Sequence, residues 1–515
     1  MMSLWKATAS ASPDAAAVPP TRPPVSALPR EPVDVLVVGA GITGLSAALM
    51  LLRAGRSVIV VEASEVAALA TGGNTGKASV LQGAKLQRIR GSHSARVTRA
   101  YVEANLDGQA WIAAFATEQG VPFARETAYS YAQSESGLGT VRAEFEAARE
   151  AGLPVELVER MPVPFPFAGA VALDGQLALD PYRLAVALAR AFVAEGGVLL
   201  SGARVHGVHA SDPVLLETEL GPLRAGAVVI ATAAPILYRG LYFAKTRHSR
   251  SYIASFRVDD PPPPGLFLSV DGPTRSVRTA PDEASADAPP QLIVSGNEHP
   301  VGRVDSEAAH VEDLVGWTHH YFAGAELTHR WSAQDYASLN LVPFAGRMPR
   351  GRGRIWFATG YAKWGLTNGV AAAIRISAEV LGEPWYQHRR WIRTLSTRAT
   401  VPSDLGRGLA ENGTVAGLLV TGWTRAQTHA APARRPPEGE GVVVSRRGVP
   451  VGVSTVDGRT CAVRAICTHL GGVLSWNDAE ATWDCPLHGS RFAADGTLLE
   501  GPATTDLKSR ETSAS

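Results

Sequence analysis

Apolar positions change their spacing several times along the chain, and each change marks an element. Residues 33–38 form a β-branched run too short for a helix, 45–54 read as a helix, and 57–62 as a second strand. This is the βαβ opening of a doubly wound sheet. Glycines at 39, 41 and 44 divide the uncharged run 35–52 into a strand and a helix, which argues against a membrane span there. Asp180 and Pro181 supply a capping carboxylate and a first-turn proline for a helix over 182–195, which Gly196-Gly197 end. Short strands follow at 198–200, 204–209 and 227–231, then a mixed stretch of about 240–345 suited to a substrate subdomain, then a helical pattern over 366–381.

The periodicity lapses in two places. Residues 1–30 carry six prolines and seven alanines and predict a flexible or surface-draped tail. Residues 391–437 read as a connecting segment that runs into a Pro- and Gly-rich linker at 431–441. Beyond it, strands at 442–445, 449–455 and 461–466 alternate with Arg447-Gly448 and Asp457-Gly458 turns, predicting a small all-β module over 438–515. The chain is thus divided into a tail, a main unit over 31–390, a connection and a terminal module.

Composition narrows the function classes. Lys plus Arg total 49 against 48 Asp plus Glu, so no net field draws nucleic acid or anionic lipid. The three cysteines, Cys461, Cys467 and Cys485, all lie near the C-terminus, so a disulfide framework does not hold the fold. With no secretory signal in the opening residues, this predicts a reducing, cytoplasmic setting.

Gly39-Ala40-Gly41-Ile42-Thr43-Gly44 follows the first strand and opens a helix. In that context the first glycine permits the turn, the second admits a pyrophosphate, and the third lets helix and strand pack, with the helix N-terminus facing the phosphates. Glu62 ends the next strand, where a carboxylate accepts ribose hydroxyls and disfavours a 2′-phosphate. No second fingerprint of this quality occurs, so a built-in NAD(P)H reductase domain is not expected.

The 33–63 segment resembles the amino-terminal motif of the D-amino-acid oxidase and glycine oxidase superfamily of flavoproteins. Thr71-Gly72-Gly73-Asn74-Thr75-Gly76-Lys77, Val228 to Thr232, and Phe357 to Leu366 agree with it. The resemblance implies an α/β FAD-binding domain, Rossmann-like and of glutathione-reductase type, with a β-rich substrate subdomain. It places Thr75, Gly76, Lys77, Val205, Ala231, Thr232, Gly360, Trp364, Gly365 and Leu366 with the glycines, Ile42, Thr43 and Glu62 around FAD. It also sets Lys77 and Lys363 beside the flavin ring as candidate catalytic residues. The helix over 366–381 would aim its N-terminus at the flavin. The absence of cysteine from this unit rules out a cysteinyl link to the flavin, and noncovalent FAD is the simpler expectation. Residues 330–336 and 343–346 resemble the segment entering the active site, and Arg247, Arg250, Tyr252, Arg330 and Tyr336 are candidate anchors for a substrate carboxylate.

Near the C-terminus, Cys467-Thr468-His469 and Cys485-Pro486-Leu487-His488 each offer one thiolate and one imidazole. Two cysteines and two histidines so divided suit a 2Fe-2S centre with cysteines on one iron and histidines on the other; a Cys2His2 zinc site is the structural alternative. Residues 438–510 resemble a Rieske ferredoxin domain, with Cys467, His469, Cys485 and His488 as ligands. Many such domains carry a disulfide beside the cluster, yet Gly472 and Leu487 stand where its cysteines would be. Ser490 is placed to donate toward a cluster sulfur, whereas Phe492 replaces a hydroxyl-bearing tyrosine, which predicts a potential low in the Rieske range.

Together these features resemble bacterial flavin oxidoreductases with a C-terminal Rieske domain. The expected activity is oxidation of a small amine or amino acid by hydride transfer to FAD, with one-electron transfer between FAD, the cluster and an external carrier such as a ferredoxin-like protein. Two alternatives stand beside it. One is a redox-responsive binding protein. The other is a Rieske-coupled oxygenase, which would need two histidines and a carboxylate on a mononuclear iron; the usual histidine spacing is absent, His206 and His209 being three apart and His319-His320 adjacent.

Overall fold

The computed structural model describes residues 1–11, 31–280, 290–382, 389–395, 402–428 and 435–509. Two sheets dominate it. The first is eight-stranded, with Val33–Val38 at its centre between the parallel strands Gly221–Ile230 and Val58–Val61. Strand alternation gives it two apolar faces. Val35 and Val37 point into a core shared with helices Ile42–Arg53, Ala95–Glu118, Pro181–Ala194 and Gly365–Leu381, while Leu36 and Val38 join Ile59, Ile230 and Phe357 on the other side. Asp180 caps its helix by accepting from the Tyr182 and Arg183 backbone amides.

The second sheet has nine strands and stands over the C-terminal edge of the first. It corrects the expected boundaries of the substrate subdomain, about 240–345. Strands Thr246–Arg257 to Glu326–Ser338 supply five of the nine, but Lys77–Ala78, Phe123–Ala132, Glu156–Val158 and Gly169–Leu179 supply the rest, joined through parallel pairing of Phe123–Ala132 with Leu266–Ser269. That pairing links positions 138 residues apart (Leu266 with Ala128), so no local pattern announces it.

The terminal module pairs a three-stranded sheet with a four-stranded one. Arg447 and Gly448, like Asp457 and Gly458, take left-handed conformations between paired strands, as two-residue hairpin turns require. Cys461 sits half-buried on the strand Arg459–Arg464.

Two further expectations are corrected. Within the 1–30 tail, residues Leu4–Ala11 are a helix whose Leu4 and Trp5 are buried. The Trp5 indole donates to the Asn74 carbonyl at 2.7 Å, and Ser3 Oγ donates to Gly72 at 2.9 Å, so tertiary contacts hold a segment with no periodicity of its own. The 391–437 connection contains a 27-residue helix, Pro402–Thr428. Its Val415, Leu418 and Leu419 pack on the terminal module, and Asn412 Nδ2 donates to the Ala244 carbonyl at 3.0 Å. Residues 12–30 of the tail and 429–434 of the linker lie outside the described residues. No described helix is long and apolar enough to cross a membrane.

Candidate functional site

A cavity of about 620 Å³ opens at the carboxyl ends of the central strands, where open α/β sheets place their ligands. The fingerprint builds its floor. Gly39 has φ +106° and its Cα lies so close to the Ala231 carbonyl that a Cβ would stand 2.5 Å from the oxygen, while a Cβ on Gly44 would run into the Gly39 carbonyl. These are the turn and the helix–strand contact that the motif requires. Gly41 has no side chain to cap the helix; Ile42 N donates to Thr71 Oγ1 at 3.1 Å, and the helix's amino end faces the cavity, where it favours an anion. Glu62 is fixed by accepting from Ala40 N at 2.7 Å and Ser64 N at 2.8 Å, and burial raises its pKa.

Of the residues expected around a nucleotide, Gly39, Gly41, Ile42, Thr43, Glu62 and Thr75 line this cavity, as do Lys77, Val205, Ala231 and Thr232. On its far side stand Gly360, Trp364, Gly365 and Leu366, at the uncapped start of the helix Gly365–Leu381. Gly44 and Gly76 act from behind. Gly76, at φ +70°, packs against the Leu179 carbonyl and accepts from Arg278 at 2.8 Å.

Both candidate lysines reach the cavity, in different states. Lys77 is buried, its amine bonded to Ser276 Oγ, and burial, helped by Arg278 and Lys363, pushes its pKa down to about 7. Lys363 is one-third exposed and pairs with Glu298 at 2.9 Å. Its backbone, like that of Ala362, is left-handed, a strain that non-glycine residues hold where a loop is fixed by its surroundings. Beside Lys363, whose backbone bonds it, Asp335 lines the cavity with its pKa raised to about 6 by burial.

The carboxylate anchors are largely corrected. Only Tyr336 lines the cavity. Arg247 and Arg330 are exposed, and Tyr252 is buried beside His299 in the sheet. Arg250 is buried and spent on an ion pair with Glu480 of the terminal module, 2.5 Å from Nε to Oε2. The guanidinium residues that do line the cavity are Arg204 and Arg491, and nothing local in the sequence aims either of them there. The oxygenase histidines also scatter: His206 bonds the Thr504 carbonyl, His209 bonds Glu217, and His319 and His320 are exposed on a helix.

The two Cys/His loops fold alike. Gly471 N donates to Cys467 O and Gly489 N to Cys485 O, each at 3.0 Å, and both glycines are left-handed, at +74° and +78°. Equal five-residue turns thus bring the two thiols together and the imidazoles of His469 and His488 to 5.1 Å between ring centroids. A proton shared between the sulfurs pulls Cys467 down to about 7 and pushes Cys485 up. Burial lowers His469 to about 4 and His488 to about 3, the neutral form that ligates metal. His488 Nδ1 is buried without a hydrogen-bond partner. Among the described residues no three such side chains converge as they would on one ion; two thiols and two imidazoles in separate pairs fit a two-iron cluster. The missing disulfide is replaced by packing, because a Cβ on Gly472 would overlap buried Leu487, 2.6 Å from its Cδ1. Ser490 Oγ accepts from Ala503 N at 3.0 Å and bonds the Cys467 sulfur.

Comparison with known proteins assigns both halves. Residues 34–378 match the model of the FAD dependent oxidoreductase (DAO) family, and 427–511 that of the Rieske 2Fe-2S domain. The chain belongs to the FAD dependent oxidoreductase family. Its flavin domain binds FAD, and its Rieske domain binds a 2Fe-2S cluster. The Bacillus subtilis protein YhfW, whose name describes a Rieske 2Fe-2S iron-sulfur protein, is 27% identical over 481 residues, 92% of either chain. The cytochrome b6-f complex iron-sulfur subunit of Synechococcus sp. is 48% identical over 46 residues, 9% of this chain and 27% of its own. Glycine oxidase from Geobacillus kaustophilus shares the flavin-domain fold with TM-score 0.57 at 20% identity, over 68% of this chain and 95% of its own. L-proline dehydrogenase from P. horikoshii does so with TM-score 0.55 at 14% identity, over 74% and 99%.

Proposed function

We propose that this FAD oxidoreductase oxidises the C–N bond of a small amine or amino acid, and exchanges electrons singly through its cluster with an external one-electron carrier, such as a ferredoxin-like protein, in a reducing, cytoplasmic setting. Bound FAD supplies two-electron hydride chemistry, and the 2Fe-2S cluster supplies single-electron transfer.

One observation carries this reading. The cavity that holds Lys77 is bounded across from the fingerprint by strand Glu326–Ser338, and that strand bonds directly to the cluster-binding segment. Gln334 Nε2 donates to the Gly489 carbonyl at 2.7 Å, one residue beyond His488, and Tyr336 Oη donates to the Gly501 carbonyl at 3.0 Å. The chain's own groups also suit an amine substrate. With its pKa near 7, Lys77 is neutral above that pH and can take the proton of a substrate ammonium, freeing the nitrogen lone pair. Asp335 and the Lys363–Glu298 pair hold charge at the same wall.

The test is anaerobic mixing with a panel of amines and amino acids, following flavin absorbance and the paramagnetic resonance of the cluster. Bleaching by a panel member, with a reduced Rieske signal appearing afterwards, is the expected result. Chemical reduction of both cofactors with no bleaching by any panel member would refute the assignment and leave the redox-sensing role. The bleaching rate is expected to rise with pH through about 7, and that inflection to vanish in Lys77→Met.

A further inference from the structure

Six residues of the Rieske domain, Arg491, Leu499, Glu500, Gly501, Ala503 and Thr504, line the same cavity as Gly39, Glu62 and Val205 of the flavin domain. They are tied down on both sides of it. On the nucleotide side, Arg204 Nη2 donates to the Leu498 carbonyl at 3.0 Å, His206 Nδ1 lies 2.9 Å from the Thr504 carbonyl, and Ile236 packs on Gly501. On the substrate-sheet side stand the Tyr336–Gly501 and Gln334–Gly489 bonds.

Behind this rim the domains are clasped by polar groups, the Arg250–Glu480 pair buried and Asp478 exposed at the edge. Glu480 takes both Arg250 and Arg491, with oxygens 2.5 Å and 3.0 Å from their nitrogens. Arg303 Nε donates to the Pro486 carbonyl at 2.8 Å, and Asp478 accepts from Ser306 Oγ and Ala308 N at the start of the helix Glu307–Tyr321. The fit leaves no slack: at Gly489 a Cβ would stand 2.9 Å from Gln334 Nε2 and 3.0 Å from His248 Cβ, and at Gly302 it would stand 3.0 Å from the Asp484 carbonyl oxygen. A module that shuttled between positions would not bury charges against its docking face, because each departure would have to rehydrate and separate them.

We propose that the Rieske domain is the outer wall of the FAD site, so that FAD enters before this domain docks and leaves only when it lifts away. Its residues Glu500 and Thr504 are then part of the FAD-binding site, although they lie more than 400 positions beyond the fingerprint (500 less 44). Cofactor retention depends on contacts, such as Arg303–Pro486 and Arg250–Glu480, whose side chains do not line the cavity.

The experiment is exchange of bound FAD for excess 8-chloro-FAD in the full-length holoprotein, read from the absorbance change. Arg303→Ala and Glu480→Gln are expected to speed exchange at least tenfold while the cluster's resonance signal persists. Arg53→Ala, which breaks ion pairs to Glu118 and Glu195 within the flavin domain, is expected to leave exchange unchanged. Exchange at the wild-type rate in both interface variants, with hydrogen exchange showing the Ala308 N–Asp478 contact opened, would overturn the proposal. The wild-type protein gives a test free of folding effects. Its FAD exchange must be no faster than the opening that hydrogen exchange reports at Ala308 N, which donates to Asp478 across the interface, and faster flavin exchange would overturn it equally.

Discussion

Lys77→Met makes the cost of the buried amine measurable. Lys77 is 9% exposed, and its pKa falls from 10.5 to about 7 in the folded chain. Between those values the unfolded chain holds more protons than the folded one, so wild-type stability rises with pH across this window and is lowest below it. At about 1.4 kcal/mol per tenfold change, the amine withholds about 4 kcal/mol near pH 7 and about 2 kcal/mol near pH 9. Methionine has similar length and no charge, and forfeits one hydrogen bond to Ser276, worth about 1 kcal/mol. The variant is therefore expected to be more stable than wild type by about 3 kcal/mol near pH 7, with the gap closing to about 1 kcal/mol near pH 9. Urea unfolding of both proteins in the same cofactor state, followed by circular dichroism, reads the difference. A variant less stable than wild type near pH 7, or a gap that does not change with pH, would refute the argument that burial sets the state of this lysine.

Other substitutions separate the parts of the site. Gly44→Ala drives a methyl group into the Gly39 carbonyl, and since backbone cannot yield as a side chain does, flavin absorbance per chain should fall severalfold. His488→Ala removes an imidazole whose Nδ1 has no partner within the protein; iron, labile sulfide and the Rieske resonance should be lost while FAD remains bound. Trp5→Ala deletes a buried side chain and its bond to Asn74, and urea unfolding should show a loss of about 3 kcal/mol.

What the sequence revealed of this molecule was whatever lies within one supersecondary unit. The fingerprint from Gly39 to Gly44 with Glu62, the Arg447-Gly448 and Asp457-Gly458 hairpins, and the paired Cys/His loops all encode their geometry within about 25 residues, and each stands where its spacing implied. The substrate sheet escaped because its strands pair across more than 100 residues, and β patterning does not say with which partner. Arg250 and Arg491 escaped for a related reason: a buried arginine reads like an exposed one until its carboxylate, here Glu480, is brought to it from another domain. The helix at Leu4–Ala11 has almost no pattern of its own and exists by virtue of the surface that receives Trp5.

Gly489 bears on how such a chain can change through descent. Its left-handed backbone closes the cluster loop from within, and its missing side chain admits Gln334 and His248 from outside. One position thus answers to two partners at once, so a Rieske module borrowed from elsewhere would arrive with a matching loop and a mismatched back. Grafts and recombinants cut at the linker should fail even when each parent module is sound, and the two halves of the gene are bound to drift together or not at all.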